Sequence, residues 1–251
     1  MLKEERLDFI LQKLKANQVV KLSDLSTCLQ VSEDTIRRDI ETLDRNGLCL
    51  KVRGGAVPHS PNNQAHSFKD RVNASEQQKT IIAQKAIQLI QAGSTILLDG
   101  GTTTFKLAGL LPEHLHLKVI TNSIPVVNAL FDHPNIEVIL AGGSVFKSSQ
   151  VTMGIETLRL LERVRVDICF TGVCSLHPQL GVTAPNFDEA EVKRTMLQSA
   201  NKVVAILTQD KLGTAESFKV CDITEVDTII TEISNRDAGF KEYQDLGIQI
   251  L

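Results

Sequence analysis

The chain of 251 residues carries 27 lysines and arginines against 30 aspartates and glutamates, a formal charge of −3. Its composition, 42% hydrophobic and 23% charged, is typical of globular proteins and excludes a fibrous or intrinsically disordered chain. The overall charge excludes a uniformly basic nucleic-acid-binding protein, so such a function must rest on a local patch. No apolar run approaches the roughly 18 residues of a membrane span, and the charged start does not resemble a signal peptide. We therefore expect a cytoplasmic protein with no membrane partner.

The first 57 residues are predicted to form three short helices followed by a strand pair. Apolar residues at i, i+3, i+4 and i+7 mark one face of the first helix: Leu7, Ile10, Leu11 and Leu14. Ser23 and Ser32 are expected to cap the second and third helices, with a tight turn at Gln30 between them. The third helix should end at Gly47 and bury three apolar residues: Ile36, Ile40 and Leu43. Two short helices joined by a tight turn form a helix-turn-helix.

The outer face of the third helix carries Thr35, Arg37 and Arg38 near its N-terminal end, where a recognition helix meets base edges. An arginine can donate a pair of hydrogen bonds to guanine or to phosphate. In the following LCLKVRGGAV stretch, Lys51 and Arg53 are expected to point from a β-wing toward a DNA backbone. The alternative is a small helical interaction domain with solvated arginines, since 10 basic residues against 9 acidic ones leave this segment only +1. The order of caps, turn, arginine pair and wing favours DNA binding.

The stretch VSEDTIRRDIETLDRNG, followed by KVRGGAV, resembles the winged helix-turn-helix of the DeoR family of bacterial transcriptional regulators. The V-S-x-x-T-I-R-R-D-L core of that family is matched, with Ile40 in place of the leucine. Arg53 stands where the wing of the family commonly has histidine, which keeps a donor and makes it permanently cationic. The resemblance implies that six residues contact DNA: Ser32, Thr35, Arg37, Arg38, Lys51 and Arg53.

Residues 58–79 are predicted as a linker, because VPHSPNNQAHSF has no periodicity and Pro58 and Pro61 lack backbone donors. Residues 80–251 alternate between helices and apolar runs of four to six residues, which predicts a mostly parallel sheet covered on both faces. Helices are expected at 80–92, from 102 to about 111, at 124–131, at 188–200 and at 238–246. Ligands of such sheets bind beyond the carboxyl ends of the strands.

Four predicted strand ends carry small, hydroxyl or amide residues: 99–104, 121–122, 141–143 and 171–172. In the first of them, DGGTTT, backbone N–H groups, threonine hydroxyls and a helix N-terminus would suit a phosphate. The pattern is neither that of a dinucleotide-binding loop nor that of an NTPase. With Lys193 and Lys211 further on, these strand ends favour an anionic small-molecule site. Alone, the turn would be read as an ordinary strand–helix junction, and Lys193 could instead be an exposed helix charge that pairs with Glu189 at i, i+4.

This half resembles the DeoR sensor domain in the patterns D-x-G-T-T-T, T-N-S, G-G, D-x-x-F-x-G, E-A-x-V-K-R and, with Asp210 in place of the serine, S-K-x-G. That domain is similar in fold to ribose-5-phosphate isomerases and binds phosphorylated sugars. The resemblance implies ligand contacts for ten residues: Asp99, Gly101, Thr102, Thr103, Thr104, Thr121, Asn122, Gly143, Lys193 and Lys211. One stretch departs from the family pattern D-x-S-K-x-G, because Thr208 replaces the acid and Asp210 replaces the serine. If that acid contacts the ligand in the family, this departure predicts a different choice of ligand here.

These features predict an α/β protein with an N-terminal winged helix-turn-helix domain (1–57) and a C-terminal, mostly parallel sensor domain (80–251). The expected function is a repressor of carbohydrate metabolism genes that binds an operator in double-stranded DNA as a dimer or tetramer. A phosphorylated sugar would modulate it, and no cofactor, metal or catalytic residue is expected. The alternative is a sugar-phosphate isomerase with an appended interaction module, for which Asp99, Glu189 and Glu191 are candidate general bases. The complete DNA-binding half favours the regulator.

The five cysteines are odd in number and include no C-x-x-C pair, so they are expected to be reduced thiols.

Overall fold

The computed structural model describes residues 1–17, 19–58 and 67–251. Its first domain is built from α1 (Lys3–Asn17), β1 (Val20–Lys21), α2 (Leu22–Leu29), α3 (Glu33–Arg45), β2 (Leu50–Val52) and β3 (Gly55–Val57). The three strands form an antiparallel sheet in the order β1-β3-β2. Helices α2 and α3 form the predicted helix-turn-helix, and β2 and β3 form the predicted wing.

The helices of the first domain enclose their own apolar core. Ile36, Ile40 and Leu43 of α3 are buried, as predicted from their spacing, and pack with residues of α1 and α2. Ser32 caps α3, because its hydroxyl accepts a hydrogen bond from the Thr35 N–H at 3.2 Å. The sequence therefore predicted the first residue of the third helix correctly.

The prediction that Ser23 caps α2 is wrong. The helix begins at Leu22, two residues before the start that a Ser23 cap would give, and the Ser23 hydroxyl instead contacts the Asp24 carboxylate at 3.1 Å. Strand β1 runs directly into this helix, and the Leu22 N–H donates to the Gly54 carbonyl oxygen of the wing at 2.8 Å. A backbone contact from the wing therefore replaces the side-chain cap.

The second part of the chain alternates helices and strands. Its helices are α4 (Phe68–Val72), α5 (Glu76–Ile87), α6 (Thr102–Ala108), α7 (Ile124–Leu130), α8 (Ile155–Leu161), α9 (Phe187–Gln198) and α10 (Lys241–Asp245). Its strands are β4 (Thr95–Leu98), β5 (Leu117–Thr121), β6 (Ile136–Leu140), β7 (Ser144–Phe146), β8 (Val151–Met153), β9 (Val166–Gly172), β10 (Ser175–His177), β11 (Gly181–Ala184), β12 (Ala200–Ile206), β13 (Phe218–Cys221), β14 (Thr228–Ile230) and β15 (Gln249–Ile250).

Seven of these strands form one parallel sheet in the order β15-β14-β12-β9-β4-β5-β6, which confirms the predicted α/β class. Successive residues of a strand enter opposite apolar cores: Leu97 lies in one, and Ile96 and Leu98 lie in the other. Because both faces are covered, the strands are apolar throughout rather than alternating. The carboxyl ends of the central strands β4 and β9 lie side by side.

Several elements differ from their predicted extents. Helix α6 ends at Ala108 rather than near 111, and α5 covers 76–87 rather than 80–92. Helix α4 and the start of α5 lie within the predicted linker, where Ser67 and Asp70 form a capping box. The antiparallel pair β7-β8 and the sheet β10-β11-β13 had no predicted counterpart, since strands of three or four residues are too short to establish a period. Among the described residues, no helix has the length and apolar character needed to cross a membrane.

Candidate functional site

The N-terminal end of α3 presents the predicted DNA-contacting residues to solvent. The side chains of Arg37 and Arg38 are 50% and 77% exposed. Both approach the exposed carboxylate of Asp34, with N–O distances of 3.8 and 2.9 Å respectively. Ser32 and Thr35 lie at the same end of the helix, joined by a 2.9 Å contact between their hydroxyls. Since solvent screens such exposed ion pairs, the arginines can exchange Asp34 for another anion at little cost.

The wing brings two more predicted cations beside the same helix. Lys51 lies on β2, and its Nζ atom is 2.6 Å from a carboxylate oxygen of Glu41 on α3. The hydrogen bond and the charge of Lys51 hold the pKa of Glu41 below its ordinary value. Arg53 is exposed at the turn between β2 and β3. The structure therefore places four of the predicted residues at the N-terminal end of α3 and two on the wing, where Lys51 is already engaged by an acid of α3.

Asp39 follows the arginine pair but points inward, a role that the sequence analysis did not assign. It is 2% exposed, and its two carboxylate oxygens accept hydrogen bonds from Arg6 of α1 at 2.7 and 3.2 Å. A guanidinium that donates twice to one carboxylate fixes both position and angle. This pair therefore holds α1 against α3 and orients the helix that carries the arginines.

A small pocket, of about 30 Å³, lies beyond the carboxyl ends of β4 and β9. Eleven residues line it: Arg71, Gly100, Gly101, Thr102, Thr103, Ser149, Gly172, Val173, Cys174, Glu189 and Lys211. They come from α4, the turn between β4 and α6, the β7–β8 connection, the end of β9, α9, and the segment after β12. Four of the ten predicted ligand contacts are among them: Gly101, Thr102, Thr103 and Lys211.

Asp99 and Lys193 form a buried ion pair next to this pocket instead of lining it. Both are 2% exposed, and the Lys193 ammonium donates to the Asp99 carboxylate and, at 2.8 Å, to the Gly172 carbonyl oxygen. The same Asp99 oxygen accepts from the Gly172 N–H and the Thr171 hydroxyl, each at 3.1 Å. Burial by itself lowers the pKa of Lys193, but Asp99 and then Glu189 outweigh it and raise that pKa above its ordinary value. Lys193 therefore stays charged, and its contacts join α9 to the ends of β4 and β9.

Two further predicted residues use their side-chain hydroxyls in hydrogen bonds with the backbone. The Thr104 hydroxyl donates to the Gly101 carbonyl oxygen at 2.9 Å, inside the first turn of α6. The Thr121 hydroxyl donates to the Leu98 carbonyl oxygen at 2.6 Å and accepts from the Ser123 N–H at 3.0 Å. Both threonines shape the strand ends, and neither is among the residues that line the pocket.

Asn122 and Gly143, the remaining predicted contacts, support the β7–β8 pair. The Asn122 side-chain NH₂ donates to the Thr152 carbonyl oxygen at 3.0 Å. Gly143 has φ of +134°, and a Cβ atom there would lie 2.6 Å from the Met153 carbonyl oxygen and 2.5 Å from the Thr157 hydroxyl. This glycine is therefore required by a close backbone approach, and it does not line the pocket.

Arg71 and Ser149 line the pocket but were absent from the predicted site. Arg71 lies in a segment predicted as linker, and the Ser67–Asp70 capping box is the sequence signal that would have placed a helix there. Ser149 lies in the short β7–β8 connection, for which the sequence carries no signal. Cys174 also lines the pocket, but burial and the nearby Glu189 raise its thiol pKa to about 12, so it is no nucleophile.

Two cationic side chains, Arg71 and Lys211, line the pocket together with the acid Glu189. Burial is the largest cause that lowers the pKa of Lys211; Cys174 and Asp210 act against it, and the charges of Arg71 and Lys193 act with it. The Lys79 ammonium donates to the carbonyl oxygens of Arg71 and Ala74. Burial, then Lys211 and Arg71, lower the pKa of Lys79 to about 8. An anion in this pocket would interact favourably with both Arg71 and Lys211.

The segment after β12 departs from the DeoR pattern in structure as well as in sequence. Thr208 is buried but does not line the pocket, and Asp210 is exposed beyond it. Glu216, further along, is 4% exposed, and one of its carboxylate oxygens has no hydrogen-bond partner among the described residues. Burial and the neighbouring Glu189 raise the pKa of Glu216 to about 7. The acid that lines the pocket, Glu189, thus comes from α9 rather than from the segment after β12.

Two family models together match most of the chain. The DeoR-like helix-turn-helix domain matches residues 6–62, and the DeoR C terminal sensor domain matches residues 74–233. The HTH-type transcriptional regulator GolR of Listeria innocua is 34% identical over 98% of this chain and 97% of that protein. The HTH-type transcriptional repressor GlcR of Bacillus subtilis is 32% identical over 92% of this chain and 89% of that protein.

A putative aga operon transcriptional repressor of Escherichia coli O157:H7 is 29% identical over 98% of this chain and 93% of that protein. These relatives are named as regulators or repressors, which favours the regulator over the isomerase alternative. Among solved structures, ribose 5-phosphate isomerase A from Methanocaldococcus jannaschii is 19% identical, with a TM-score of 0.42 over 55% of each chain.

Proposed function

Because this chain belongs to the DeoR family of transcriptional regulators, we propose that it represses carbohydrate metabolism genes and that a phosphorylated sugar modulates its operator binding. The observation that carries the proposal is the pocket beyond β4 and β9, where Arg71 and Lys211 converge with the Gly100–Thr103 turn. A guanidinium, an ammonium, hydroxyls and backbone N–H groups are donors that suit phosphate oxygens. Glu189 is an acceptor in the same pocket and suits the hydroxyls of a sugar.

Operator binding would use the end of α3 and the wing. In this proposal the exposed arginines of α3 read base edges in the major groove, while Lys51 and Arg53 contact the DNA backbone. One short recognition helix reads few base pairs, so a dimer or tetramer that reads paired half-sites would supply the needed specificity.

The effector must bind one arrangement of the DNA-binding units better than another, because equal affinity would shift no equilibrium. A coupling free energy of roughly 1–3 kcal/mol would change operator affinity about 5–150-fold. In the direction proposed here, the phosphorylated sugar weakens operator binding and relieves repression.

Thermal unfolding with a panel of pentose and hexose monophosphates, each beside its unphosphorylated sugar, tests the effector class. A ligand at 100 times its Kd stabilises the native state by about 2.7 kcal/mol. We expect phosphorylated members alone to raise the Tm. The Lys211→Gln variant should lose the shift, and Lys202→Gln, near the amino end of β12, should keep it. A panel without any phosphate-dependent shift, or a shift that Lys211→Gln leaves unchanged, would overturn the proposal.

A further inference from the structure

The chain leaves the wing at a point attached to one wall of the pocket. Pro58 directly follows β3, and its carbonyl oxygen accepts a hydrogen bond from the Ala215 N–H at 3.4 Å. Lys211, which lines the pocket, lies four residues before Ala215. The Thr214 hydroxyl donates to the Lys211 carbonyl oxygen at 2.8 Å. The segment 211–215 therefore joins the pocket to the exit of the DNA-binding domain in one short run of backbone.

The chain enters the sensor domain at a point attached to another wall. The Phe68 N–H donates to the Ser148 carbonyl oxygen at 2.7 Å, and the next residue, Ser149, lines the pocket. The Phe68 ring is 6% exposed and packs edge-to-face against Phe105 of α6, with ring centroids 5.6 Å apart. Arg71, one turn further along α4, lines the pocket itself. Both ends of the connection between the domains are thus fastened beside the same pocket.

The two fastened segments each present a cation to the pocket. Arg71 belongs to α4 and Lys211 to the segment after β12, and both line the pocket. A phosphate bound between them would attract both groups to one anion. The bound anion therefore acts between the 211–215 segment, which is bonded to Pro58, and α4, which contains Phe68.

We propose that an anion held between Arg71 and Lys211 draws α4 and the 211–215 segment together, and that the attachments at Phe68 and Pro58 transmit this movement to the winged helix-turn-helix. Arg71 is then both a ligand-binding residue and the residue that couples the ligand to the DNA-binding domain. The inference rests on the proposed effector site, and it adds the route by which that site acts.

The distance between the two domains, measured by electron–electron double resonance, tests the route. Cys28 of α2 is exposed, whereas the other four cysteines are buried or partly buried. Spin labels on Cys28 and on the exposed loop variant His114→Cys report that distance. Labelled chains are diluted into unlabelled protein, so each measured pair lies within one chain. The probe is inorganic phosphate, with its binding measured separately by calorimetry.

We expect phosphate to shift the distance in the otherwise unaltered chain. Phe68→Ala should bind phosphate and lose the shift, because it removes the ring contact with Phe105 without changing a pocket-lining residue. Phe131→Ala, which truncates a ring that is 78% exposed, should keep both. Phe68→Leu removes less side-chain volume, so it should reduce the distance shift while the protein still folds. This variant replaces Phe68→Ala in the test if the alanine variant does not fold.

The two proposals fail in different ways. If phosphate does not bind the unaltered chain, the effector site is overturned and the coupling route with it. If phosphate binds but the distance does not change, or if the shift survives both Phe68 variants, the coupling route alone is overturned.

Discussion

The DNA-facing surface and the sensor pocket use the same charged residue types in opposite environments. On α3 and the wing, the arginines and Lys51 are exposed and contact exposed or half-exposed acids. In the sensor domain, Lys193 and Asp99 are buried, and Lys79 and Lys211 are desolvated. Exposed ion pairs are worth little and are screened by salt, whereas breaking a buried pair is costly. The first surface can therefore exchange partners freely, while the second holds a fixed geometry around a ligand.

The largest expected effect comes from breaking the buried pair. Lys193→Met should destabilise the protein by about 3–5 kcal/mol, because Asp99 is left as an uncompensated buried charge. Urea unfolding of the full chain measures this loss. The matched control is Lys219→Met, whose partner Asp222 lies 2.5 Å away on the surface, and it should cost less than about 1 kcal/mol. Equal losses in the free energy of unfolding for the two variants would contradict the difference between buried and exposed ion pairs.

The next effect depends on pH. In the folded protein the pKa of Glu216 is about 7, above its ordinary value of 4.5, so the folded state holds this proton more tightly. Stability should therefore fall as pH rises from about 4.5 to about 7 and lose nothing further from this group above that range. Glu216→Gln removes the fall and should be more stable than the unaltered chain by up to about 3 kcal/mol at pH 8. Exposed Glu162→Gln is the control. Parallel pH profiles for Glu216→Gln and the unaltered chain would contradict the assignment.

A smaller effect is expected on the DNA-facing surface, and it should appear in binding rather than in stability. Arg37→Ala and Arg38→Ala should each weaken specific operator binding by about 1–3 kcal/mol if each arginine contacts a base. The fold should persist, because both side chains are exposed. Fluorescence anisotropy at fixed salt, on an operator selected from random DNA, measures the change. Arg45→Ala, at the other end of α3, should bind nearly as the unaltered chain does. Unchanged affinity in both variants would remove α3 from the interface.

The smallest expected effect concerns the wing. Lys51→Ala should weaken binding to all DNA and reduce the salt slope by about 0.9 if Lys51 contacts one phosphate. Glu41→Gln should raise affinity slightly, because it releases Lys51 from its present partner. A salt titration with non-specific duplex DNA measures both. An unaltered slope for Lys51→Ala would mean that its contact with Glu41 persists on DNA.

In the sensor domain, the sequence located the ends of the strands but not the direction in which each side chain points. Thr102 and Thr103 were predicted as ligand contacts and line the pocket, since both follow directly from the end of a central strand. Thr104, one residue further, turns its hydroxyl back to Gly101. Lys193 was predicted as a ligand contact, with an exposed helix charge as the alternative; the structure shows it buried rather than exposed, in direct contact with Asp99 and 3.8 Å from Glu189. Spacing locates a strand end, but the direction of each side chain depends on what packs beside it.

The sequence by itself determined the division into two parts, the capped third helix with its exposed arginines, and the parallel sheet. These features depend on local spacing, caps and apolar periodicity, which act within a few residues. Only the tertiary structure decided that Arg71 and Ser149 line the pocket and that Lys193 pairs with Asp99. It also decided that Pro58 and Phe68 form backbone hydrogen bonds next to segments that line the pocket. Each of these depends on segments far apart in the chain that meet only when the sheet closes, so no local pattern records them.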